Sequence, residues 1–376
     1  MEGLYPRPGR RIRVGVIGCG EVTQIIHLPT LAQLPGHFEV TALCDISDTV
    51  LQAVGARWGV DRRVADYHEL AALPEVDAVL VANPDSFHAD ATLAAIAGGK
   101  DVLVEKPMCL GPRECDEIVA AAERAGAVVQ VGYMRRHAPA LAEAKRMLEE
   151  IGEIRLARVH DLIGFNHMII ERTSYVIRGD DVPQATIDEA WARRRRLVEE
   201  ALGPLPVPVA NAYDLLLGLA SHDISAMREL LGLPRGVAHA AARHDGRYVT
   251  AAIDYRGYMC QFETGVDEIP RFDAHIEVFG ERHKLRIQYD TPYVRNLPIR
   301  LTVLEANGRG GVVERAIQPE WGDAFVAEWL AFHRHVTERT QPSASAADFR
   351  HDLDLFGQMV ELMAAAETAP VGGPAA

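Results

Sequence analysis

Short runs of β-branched and aliphatic residues alternate with longer amphipathic stretches from Arg13 to about Gln130. This alternation is typical of βαβ units, which form a parallel sheet covered by helices on both faces. Five runs are predicted strands: VGVIG (14–18), EVTALCD (39–45), AVLVAN (78–83), DVLVEKP (101–107) and VVQVGY (128–133). Helices are predicted near residues 21–34, 49–58 and 111–125. The chain therefore begins with a doubly wound α/β domain.

The rest of the 376-residue chain follows a different pattern. After Tyr133, a helix is followed by alternating strands and glycine-containing turns, HDGRY at 244–248 and DYRGY at 254–258. These features predict an α+β domain with one large, open, mostly antiparallel sheet. We assign residues 1–134 to the first domain and 135–366 to the second. A C-terminal helix is expected to pack back onto the body, before a flexible tail over 367–376.

A charged insertion is predicted at about residues 165–208. The capping-box spacing of Thr186 and Glu189 predicts a helix over about 187–202. Its four arginines, 193–196, suit either a phosphate site or helical ion pairs on a solvated face. We prefer ion pairs, and interpret the insertion as a lid or an oligomer contact.

Charge and cysteine content exclude several classes of function. Lys and Arg number 39 against 53 Asp and Glu, a formal net charge of −14 that matches neither nucleic acid nor an anionic membrane surface. The five cysteines form no CxxC pair, so a reducing, cytoplasmic location is expected. Neither a secretory leader nor an apolar run of membrane-spanning length is recognised.

The first predicted strand runs directly into GCGEVT at 18–23, which opens a helix. Gly18 permits a tight turn, and Gly20 lets backbone N–H groups at the helix N-terminus approach an anion. The amides from Gly18 to Val22, with Glu21 between them, are therefore predicted to hold a dinucleotide pyrophosphate. An ordinary strand–helix turn is the competing interpretation.

Asp45 ends the second predicted strand, 25 residues after Gly20. A carboxylate at this position accepts hydrogen bonds from the adenosine ribose. No arginine follows in Ile46-Ser47-Asp48, so a 2′-phosphate would meet negative charge. We therefore predict NAD rather than NADP, the alternative being that Asp45 only caps the next helix.

Two further predicted strands end in polar residues, Asn83 and Glu105, at the edge where open α/β sheets bind ligands. The first continues through Pro84 to His88. The second continues into Lys106-Pro107, and Pro107 disfavours the α region for Lys106. The ammonium group of Lys106 is therefore expected to point into the crevice, the alternative being a lysine that extends to solvent.

The order GxGxx, strand-end Asp, NP…H, EKP and GYMRR resembles the family of glucose-fructose oxidoreductase, inositol dehydrogenase and MocA (Gfo/Idh/MocA). Its members are NAD(P)-dependent sugar and cyclitol dehydrogenases. The resemblance covers nearly the whole chain. It implies a Rossmann domain followed by a domain with a large open sheet, and a homo-oligomer, dimer or tetramer, formed through that sheet.

The same resemblance implies roles for the strand-end residues. Lys106 would hydrogen-bond the substrate hydroxyl that is oxidised, and Glu105 would position Lys106 and the nicotinamide ribose. Asn83, Pro84 and His88 would lie along the nicotinamide half of the cofactor.

A proton acceptor is also required, because oxidation of an alcohol releases the hydroxyl proton. His222 in GLASHDIS matches the family's histidine. Gly218 stands where the family usually has an aspartate that would orient the imidazole. The nearby Asp214 is better explained as half of a helix cap with Asn211.

Tyr133, Arg135 and Arg136 follow the fifth strand, where family members that resemble inositol dehydrogenase border their substrate. Surface pairing of either arginine with Glu143 is the alternative. No metal site is predicted, because the remaining histidines show no ligand spacing: His160, His167, His239, His275 and His283.

The combined hypothesis is an NAD-dependent oxidoreductase. It would move hydride between the nicotinamide and a ring carbinol of a sugar, sugar derivative or cyclitol, with Lys106 and His222 as catalytic residues. One alternative keeps the cofactor but recycles it during a lyase or glycosidase reaction. Another is a non-catalytic sensor that binds NAD.

Overall fold

The chain contains two β-sheets, each with its own set of covering helices. The structure is a computed structural model and describes residues 10–319 and 322–368. From residue 369 onward, the predicted flexible tail lies outside the described residues. Its first two positions, 367 and 368, continue the last helix.

The first sheet contains β1 (Ile12–Ile17), β2 (Phe38–Cys44), β3 (Arg62–Val64), β4 (Ala78–Val81), β5 (Asp101–Val104) and β6 (Val129–Val131). All six strands are parallel, in the order β3-β2-β1-β4-β5-β6. The predicted doubly wound sheet is thus confirmed. Its strand order reverses between β1 and β4, so a crevice opens at the carboxyl ends of these two strands.

Five helices connect these strands: α1 (Leu28–Gln33), α2 (Asp48–Trp58), α3 (Tyr67–Ala72), α4 (His88–Ala97) and α5 (Pro112–Ala125). A π-helical turn, Thr23–His27, leads into α1. The sequence analysis did not identify β3, α3 or α4. Strand β3 has only three residues, and α4 is rich in alanine and lacks a clear apolar stripe.

The second sheet contains β7 (Ile154–Gly164), β8 (Gly236–Arg243), β9 (Tyr248–Tyr255), β10 (Tyr258–Asp267), β11 (Phe272–Gly280), β12 (His283–Tyr289), β13 (Arg300–Ala306) and β14 (Val312–Ile317). Their order is β14-β13-β12-β11-β7-β10-β9-β8. Only the β7–β10 pair is parallel among these described strands. The predicted hairpin turns at 244–248 and 254–258 join β8 to β9 and β9 to β10, which confirms the large, mostly antiparallel sheet.

The helices of the second part are α6 (Pro139–Met147), α7 (His167–Thr173), α8 (Gln184–Leu202), α9 (Val207–Leu215), α10 (Ser221–Leu231), α11 (Ala324–Glu338) and α12 (Ala346–Thr368). A second π-helical turn, Leu216–Ala220, joins α9 to α10. The stripe predicted for the C-terminal helix is buried, with Phe349, Phe356 and Met359 at 0% exposure. Helix α12 therefore packs back onto the body.

The two predicted capping boxes in the second part are wrong. Helix α8 begins after Pro183 without a side-chain cap, so Thr186 and Glu189 lie inside it. Helix α9 begins at Val207, which places Asn211 and Asp214 in its second half. In both cases a proline at the helix start fixes the boundary earlier than the polar residues suggest.

One buried cluster includes residues of both sheets, among them Val81 and Val131 of the first and Val159 and Ile276 of the second. The domain boundary after residue 134 stays a prediction, because this cluster continues across it. None of the helices in the described part of the chain is long and apolar enough to cross a membrane.

Candidate active site

The glycine-rich turn at the end of β1 leaves room for an anion. Gly18 has φ +90°, and a Cβ atom there would lie 2.5 Å from the backbone of Ala82 and Asn83. Only glycine is tolerated without movement of β4. A Cβ on Gly20 would meet nothing within 4 Å, so the space beside it is open. Thr23, in place of a third glycine, donates its hydroxyl hydrogen bond to Gly18 O at 2.6 Å.

Asp45 lies beside this turn, immediately after β2. Its Oδ2 accepts from the backbone N–H of Cys19 at 2.8 Å, and its Oδ1 accepts from that of Ser47 at 2.9 Å. These two bonds fix the carboxylate at the carboxyl edge of the sheet. Each oxygen keeps a lone pair, so the group can still accept from a ribose hydroxyl.

An extended segment of the insertion, residues 174–181, lies over the glycine-rich turn, and we call it the strap. Gln24 is 2% exposed and forms two hydrogen bonds with the strap, one to the carbonyl and one from the N–H of Ile177, both at 2.8 Å. Asp181 accepts from Ser47 Oγ at 2.5 Å and from Thr49 N at 3.1 Å. The strap therefore covers the crevice at the loop after β2, which contains Asp45.

The sequence predicts a lid or an oligomer contact for the insertion, but its pattern does not mark Asp181 or Gln24 as attachment points. Their partners lie 134 and 153 residues away in the chain, respectively. The spacing of residues within one segment cannot predict contacts between segments so far apart in the chain. Hydrogen bonds from Ser47 and Thr49 lower the pKa of Asp181 below its ordinary 3.8, so this carboxyl is ionised at neutral pH.

The crevice continues into a cavity of about 290 Å³, which we call the active-site cavity. Five of the predicted cofactor residues line it: Val22, Asn83, His88, Glu105 and Lys106. His88 connects two of the strand-end loops, because its Nδ1 lies 2.7 Å from Pro107 O and its Nε2 lies 2.7 Å from Asn83 O. The Asn83 Oδ1 atom is buried and has no partner among the described residues. The cavity thus contains a polar atom that a bound group can satisfy.

A hydrogen bond from His27 stabilises the ionised form of Glu105. His27 Nε2 lies 2.9 Å from Glu105 Oε1, and the Trp329 indole N–H donates to His27 Nδ1 at 3.1 Å. Because an indole nitrogen can only donate, Nδ1 of His27 accepts and its Nε2–H donates to Glu105. Burial alone would raise the pKa of Glu105, but the His27 hydrogen bond and nearby positive charges lower it below its ordinary 4.5.

Lys106 extends into the active-site cavity, as expected. The peptide bond between Lys106 and Pro107 is cis. The ammonium Nζ donates to the carbonyl oxygen of Gly218, in the π-helical turn that precedes α10. Burial lowers the pKa of Lys106 below its ordinary 10.5, while Glu105 and Asp85 partly oppose the shift.

His222 lies in the first turn of α10 and also lines the cavity. Burial, followed by the positive charges of Lys106 and Arg135, lowers the pKa of its imidazole well below the ordinary 6.5. Its Nδ1 atom is buried and without a hydrogen-bond partner among the described residues. His222 is therefore neutral at pH 7, the state in which one ring nitrogen can accept a proton.

Arg135 is the only one of the three predicted substrate residues after β6 that lines the cavity. It is 3% exposed, pairs with Asp223 and with Asp161 at 3.4 Å, and stacks over the Tyr289 ring at 4.8 Å. Burial raises the pKa of Asp223 well above 3.8, and the adjacent Asp161 raises it further while Arg135 opposes the shift. Sequence reasoning missed Asp161, which reaches the site only because β7 crosses beneath it.

Tyr133 and Arg136 are not where the substrate prediction requires them. Tyr133 is 1% exposed and donates its hydroxyl hydrogen bond to Asp352 at 2.8 Å. Arg136 is buried against Ser225 and Asp348, with its guanidinium 2.5 Å from each. Both side chains fasten α10 and α12 to the loop after β6, so neither is retained as a substrate contact. The alternative of surface pairing with Glu143 is also wrong, because both arginines are buried.

The arginine run of α8 contacts the first sheet's loops. Arg193 donates to Ser86 O at 2.8 Å and to Asp90 at 2.7 Å, and Arg194 pairs with Asp85 at 3.0 Å. Of the predicted helical ion pairs, Arg196 with Glu189 is present at 2.6 Å. Two of the four arginines therefore fasten the insertion beside the active-site cavity, instead of forming a solvated face.

Three residues that sequence spacing does not connect meet on the outer face of the second sheet. His160, Asp273 and His275 offer ligand atoms that all lie within 4.8 Å of one another. His160 and His275 are direct partners across β7 and β11, and their rings stack at 4.7 Å. Cross-strand pairing, which the sequence does not reveal, produces this group, and its side chains could hold a metal ion.

Comparison with known proteins agrees with this geometry. Residues 12–133 match the family model described as oxidoreductase family, NAD-binding Rossmann fold (GFO_IDH_MocA). Inositol 2-dehydrogenase 2 of Saccharopolyspora erythraea is 27% identical over 371 residues, which cover 96% of this chain and 95% of that protein. Residues 12–133 thus form an NAD-binding Rossmann domain of the Gfo/Idh/MocA oxidoreductase family, and the chain as a whole is similar to members of it.

Solved structures of low identity share the fold of this chain. Levoglucosan dehydrogenase in complex with NADH and levoglucosan superimposes with a TM-score of 0.75 at 19% identity, covering 96% of this chain and 98% of that one. A 3-ketoreductase from Actinomadura kijaniata in complex with TDP-benzene and NADP gives 0.70 at 22% identity, covering 94% and 97%. The chain is an oxidoreductase with an NAD-binding Rossmann domain, and the relatives it resembles are named dehydrogenases.

Proposed function

We propose that this chain oxidises a ring carbinol of a sugar, sugar derivative or cyclitol and transfers the hydride to NAD. The observation that carries the proposal is the meeting of Lys106 and His222 in one cavity. One supplies an ammonium group and the other a neutral imidazole. Relatives named inositol 2-dehydrogenase and levoglucosan dehydrogenase support a polyhydroxylated ring as substrate.

The residues fit a bound dinucleotide. Gly18 and Gly20 leave space for a pyrophosphate at a helix N-terminus, and the buried Asn83 Oδ1 lacks a partner where a carboxamide could donate. Glu105 and His88 fix the two loops on either side of the cavity. When bound there, NAD supplies the hydride acceptor at C4 of its nicotinamide.

The remaining chemistry belongs to the side chains. Lys106 donates a hydrogen bond to the substrate hydroxyl oxygen and stabilises the negative charge that develops on it. His222 accepts the hydroxyl proton as general base. The C–H bond breaks with its electron pair, the carbonyl forms, and the ring carbon is oxidised by two electrons while one proton resides on His222.

Two carboxylates support NAD over NADP. Asp45 and Asp181 both lie at the ribose end of the crevice, and Arg178, the nearest arginine of the strap, pairs with Glu21 at 2.6 Å. A 2′-phosphate would meet negative charge with no unpaired cation from the strap to balance it. We expect kcat/KM for NAD to exceed that for NADP at least tenfold, and Asp45→Ser to narrow the difference; equal use of both cofactors by the unmodified protein would contradict this preference.

The test of the proposed reaction is a screen of polyols and oxidised sugars, read at the NADH absorbance band. NADH should accumulate in a 1:1 ratio with the oxidised product, and Lys106→Ala should lower kcat by about 10² or more while NADH binding persists. Lys106→Arg, which keeps the charge but not the geometry, is the matched control. Normal turnover by Lys106→Ala would exclude the catalytic role of this residue.

A second candidate is a lyase or glycosidase reaction in which NAD is reduced and reoxidised in each cycle. It is favoured by His222, which lacks the orienting carboxylate expected four residues earlier in the chain. Product formation with no accumulation of NADH would support this candidate. Binding of NAD without turnover on any substrate would instead support a sensor.

We also propose a cytoplasmic homo-oligomer formed through the second sheet. All five cysteines are free and buried, which suits a reducing compartment. The outer face of the sheet carries the partly exposed apolar residues Leu156, Met259 and Phe279, which suit a contact with a second copy. Light scattering combined with size-exclusion chromatography measures the assembly, and a monomer at micromolar concentration would contradict it.

A further inference from the structure

A second cavity adjoins the active-site cavity. It measures about 530 Å³, is lined by residues of α9, the β8–β9 turn and the segment after β7, and we call it the outer cavity. Four residues line both cavities: Ile163, Asn166, Gly218 and Leu219. The two spaces therefore share one wall, and that wall runs past the residue whose carbonyl accepts from Lys106.

Because Gly218 has no side chain, the passage between the two cavities is open at this residue. A Cβ atom on Gly218 would meet nothing within 4 Å, so any side chain there would extend into open space beside Lys106. A side chain at this position would stand between the cavities. In this chain a ligand whose carbinol lies at Lys106 can continue past Gly218 without a clash.

The active-site cavity is too small to enclose a large substrate, so such a substrate must extend past Gly218 into the outer cavity. Its volume of about 290 Å³ is at the lower end of the range of about 300–1,000 Å³ that small-ligand pockets occupy. Residues predicted to contact the nicotinamide, Asn83 and His88, line part of that volume. A substrate with more than one ring must therefore place its second ring elsewhere, and the outer cavity is the adjoining space.

The outer cavity combines an aromatic surface with polar groups. Phe165 is 36% exposed; the guanidinium carbon of Arg247 lies 5.4 Å from its ring centroid and the His167 ring stacks on it at 5.7 Å, so a ligand would meet the part of the ring that these two groups leave open. Asp214, with 46% of its side chain exposed, lies on the opposite wall with Asn211. A pyranose ring offers C–H groups to an aromatic face and hydroxyls to carboxylate, amide and guanidinium groups at its edge, so this lining suits a sugar.

The charges favour a neutral ligand in the outer cavity. Arg247 is the only cationic side chain that lines it in the described part of the chain, and its guanidinium already pairs with Glu268 at 2.9 Å. Asp245 adds a negative charge to the same walls, whereas the carboxylate of Asp214 is paired with Arg194 outside the lining. A phosphate or diphosphate group would therefore find no unpaired cation and one unpaired carboxylate.

We propose that the outer cavity is a second sugar subsite, so that the substrate is a glycoside or disaccharide rather than a free monosaccharide or cyclitol. The oxidised ring would lie at Lys106 and His222, and the second glycosyl residue would lie on Phe165 and Arg247. This inference rests on the proposed dehydrogenase function and specifies its substrate class.

The first experiment compares kcat/KM for glucose and myo-inositol with that for a set of glucose disaccharides of different linkage, and with UDP-glucose. At least one disaccharide should exceed both single-ring compounds tenfold or more. Equal or better turnover of the single-ring compounds would overturn the subsite. A preference for UDP-glucose over every disaccharide would also overturn it, in favour of a sugar nucleotide.

Variants separate the outer cavity from the catalytic groups. Phe165→Ala and Arg247→Ala should raise KM for the preferred disaccharide about tenfold and leave KM for glucose within twofold, and Phe165→Tyr should restore the disaccharide KM. Gly218→Leu, which fills the junction, should lower the ratio of kcat/KM for disaccharide over glucose at least tenfold. Equal effects on both classes of substrate would contradict the subsite.

Saturation-transfer NMR on the NADH-bound protein tests occupancy without turnover. Protons of both rings of the disaccharide should receive saturation in the unmodified protein, and those of the second ring should lose it in Phe165→Ala. Binding through both rings without NAD reduction on any substrate would support the subsite but exclude the proposed dehydrogenase. Oxidation of glucose without disaccharide binding would exclude the subsite alone.

Discussion

Lys106 and His222 must carry opposite protonation states for the proposed reaction to proceed. His222 must be neutral to accept a proton, and Lys106 must be charged to stabilise the developing alkoxide. Burial lowers the pKa of both groups, which keeps His222 neutral over a wider pH range but narrows the range in which Lys106 is charged.

The pH dependence of kcat/KM should therefore be bell-shaped, with both limbs displaced to acid. Activity falls as pH decreases through the pKa of His222, which lies below 6.5, and as pH increases through that of Lys106, which lies below 10.5. Rates measured from pH 4 to 11 with a saturating cofactor report both limbs. A His222→Gln variant should lose the acid limb, whereas an acid limb at or above pH 6.5 would contradict the neutral, buried histidine.

Gly218 gives a second prediction at the residue scale. An aspartate introduced there would enter open space close to the Lys106 ammonium and raise its pKa by about 1 unit or more. The alkaline limb of the Gly218→Asp profile should move to higher pH by that amount. Gly218→Asn has the same size without the charge and should leave the limb in place; an equal shift in both variants would show that the effect is steric.

Among the structural elements, the strap and helix α8 determine how the insertion meets the cofactor crevice. The strap is attached to the glycine-rich turn through one buried side chain, Gln24, and α8 is attached to the loop after β4 through Arg193 and Arg194. The insertion thus contacts the first sheet's loops at two places, and its role as a lid or an oligomer contact stays a prediction.

Replacement of Gln24 by Leu should release the strap. The Ile177 N–H would lose its partner inside a part-buried contact, at a cost of about 1–3 kcal/mol. Hydrogen–deuterium exchange over residues 174–181 should become faster, and the Kd of NADH should rise. Arg178→Ala removes an exposed ion pair of the same strap and is the control, since such pairs contribute about 0–1 kcal/mol. Unchanged exchange in Gln24→Leu would contradict this attachment.

The patterns of apolar residues and glycine turns in the sequence were sufficient to predict five strands of the first sheet and the two hairpins of the second. They also placed Asp45 and Lys106 at strand ends on the carboxyl edge of the first sheet, while His222 was identified through the family resemblance and lines the same cavity as Lys106. The sequence could not reveal contacts between distant segments. His27 acts on Glu105 because Trp329, 302 residues away, fixes its tautomer.

The same limit explains the errors. Tyr133 and Arg136 follow β6 as the family pattern requires, but α12 returns from the end of the chain and supplies Asp348 and Asp352 to bind them. Spacing along the chain predicts at which position of a strand or helix a residue lies. Which partner it finds depends on elements that arrive from elsewhere.

At the scale of the whole molecule, α11 joins the two parts through its buried face. Trp329 and Phe332 pack against the first sheet, and Glu328 is 0% exposed with neither carboxyl oxygen hydrogen-bonded within the described residues. Burial raises the pKa of Glu328 well above 4.5, and the charges of Glu105 and Asp323 raise it further. The folded protein therefore holds this carboxyl protonated at pH values where the unfolded chain ionises it.

Stability should consequently decrease as pH rises above about 4.5 up to the folded-state pKa of Glu328, because unfolding releases a proton in this range. Glu328→Gln, which resembles the protonated acid, removes this dependence. The free energy of unfolding should be measured in denaturant at pH 5 and at pH 8. Between these two pH values, the free energy of unfolding of the variant minus that of the parent should increase by as much as about 4 kcal/mol, since each pH unit is worth about 1.4 kcal/mol.

Glu338→Gln changes an exposed glutamate of the same helix and should show no such gain between the two pH values. A difference between Glu328→Gln and the parent that is the same at pH 5 and pH 8 would mean that Glu328 titrates alike in the folded and unfolded chains.

Both π-helical turns of the described chain carry a group of the active site, His27 in one and Gly218 in the other. A π-turn holds one residue more than the α-helical turn it replaces, so it is gained or lost by insertion or deletion rather than by substitution. The acceptor for Lys106 is a main-chain carbonyl, which no point mutation removes. Loss of one residue from Leu216–Ala220 would rotate the preceding helix by about 100° relative to α10 and carry that acceptor away from Lys106. Evolution of this site is therefore constrained by the length of the segment as much as by its composition.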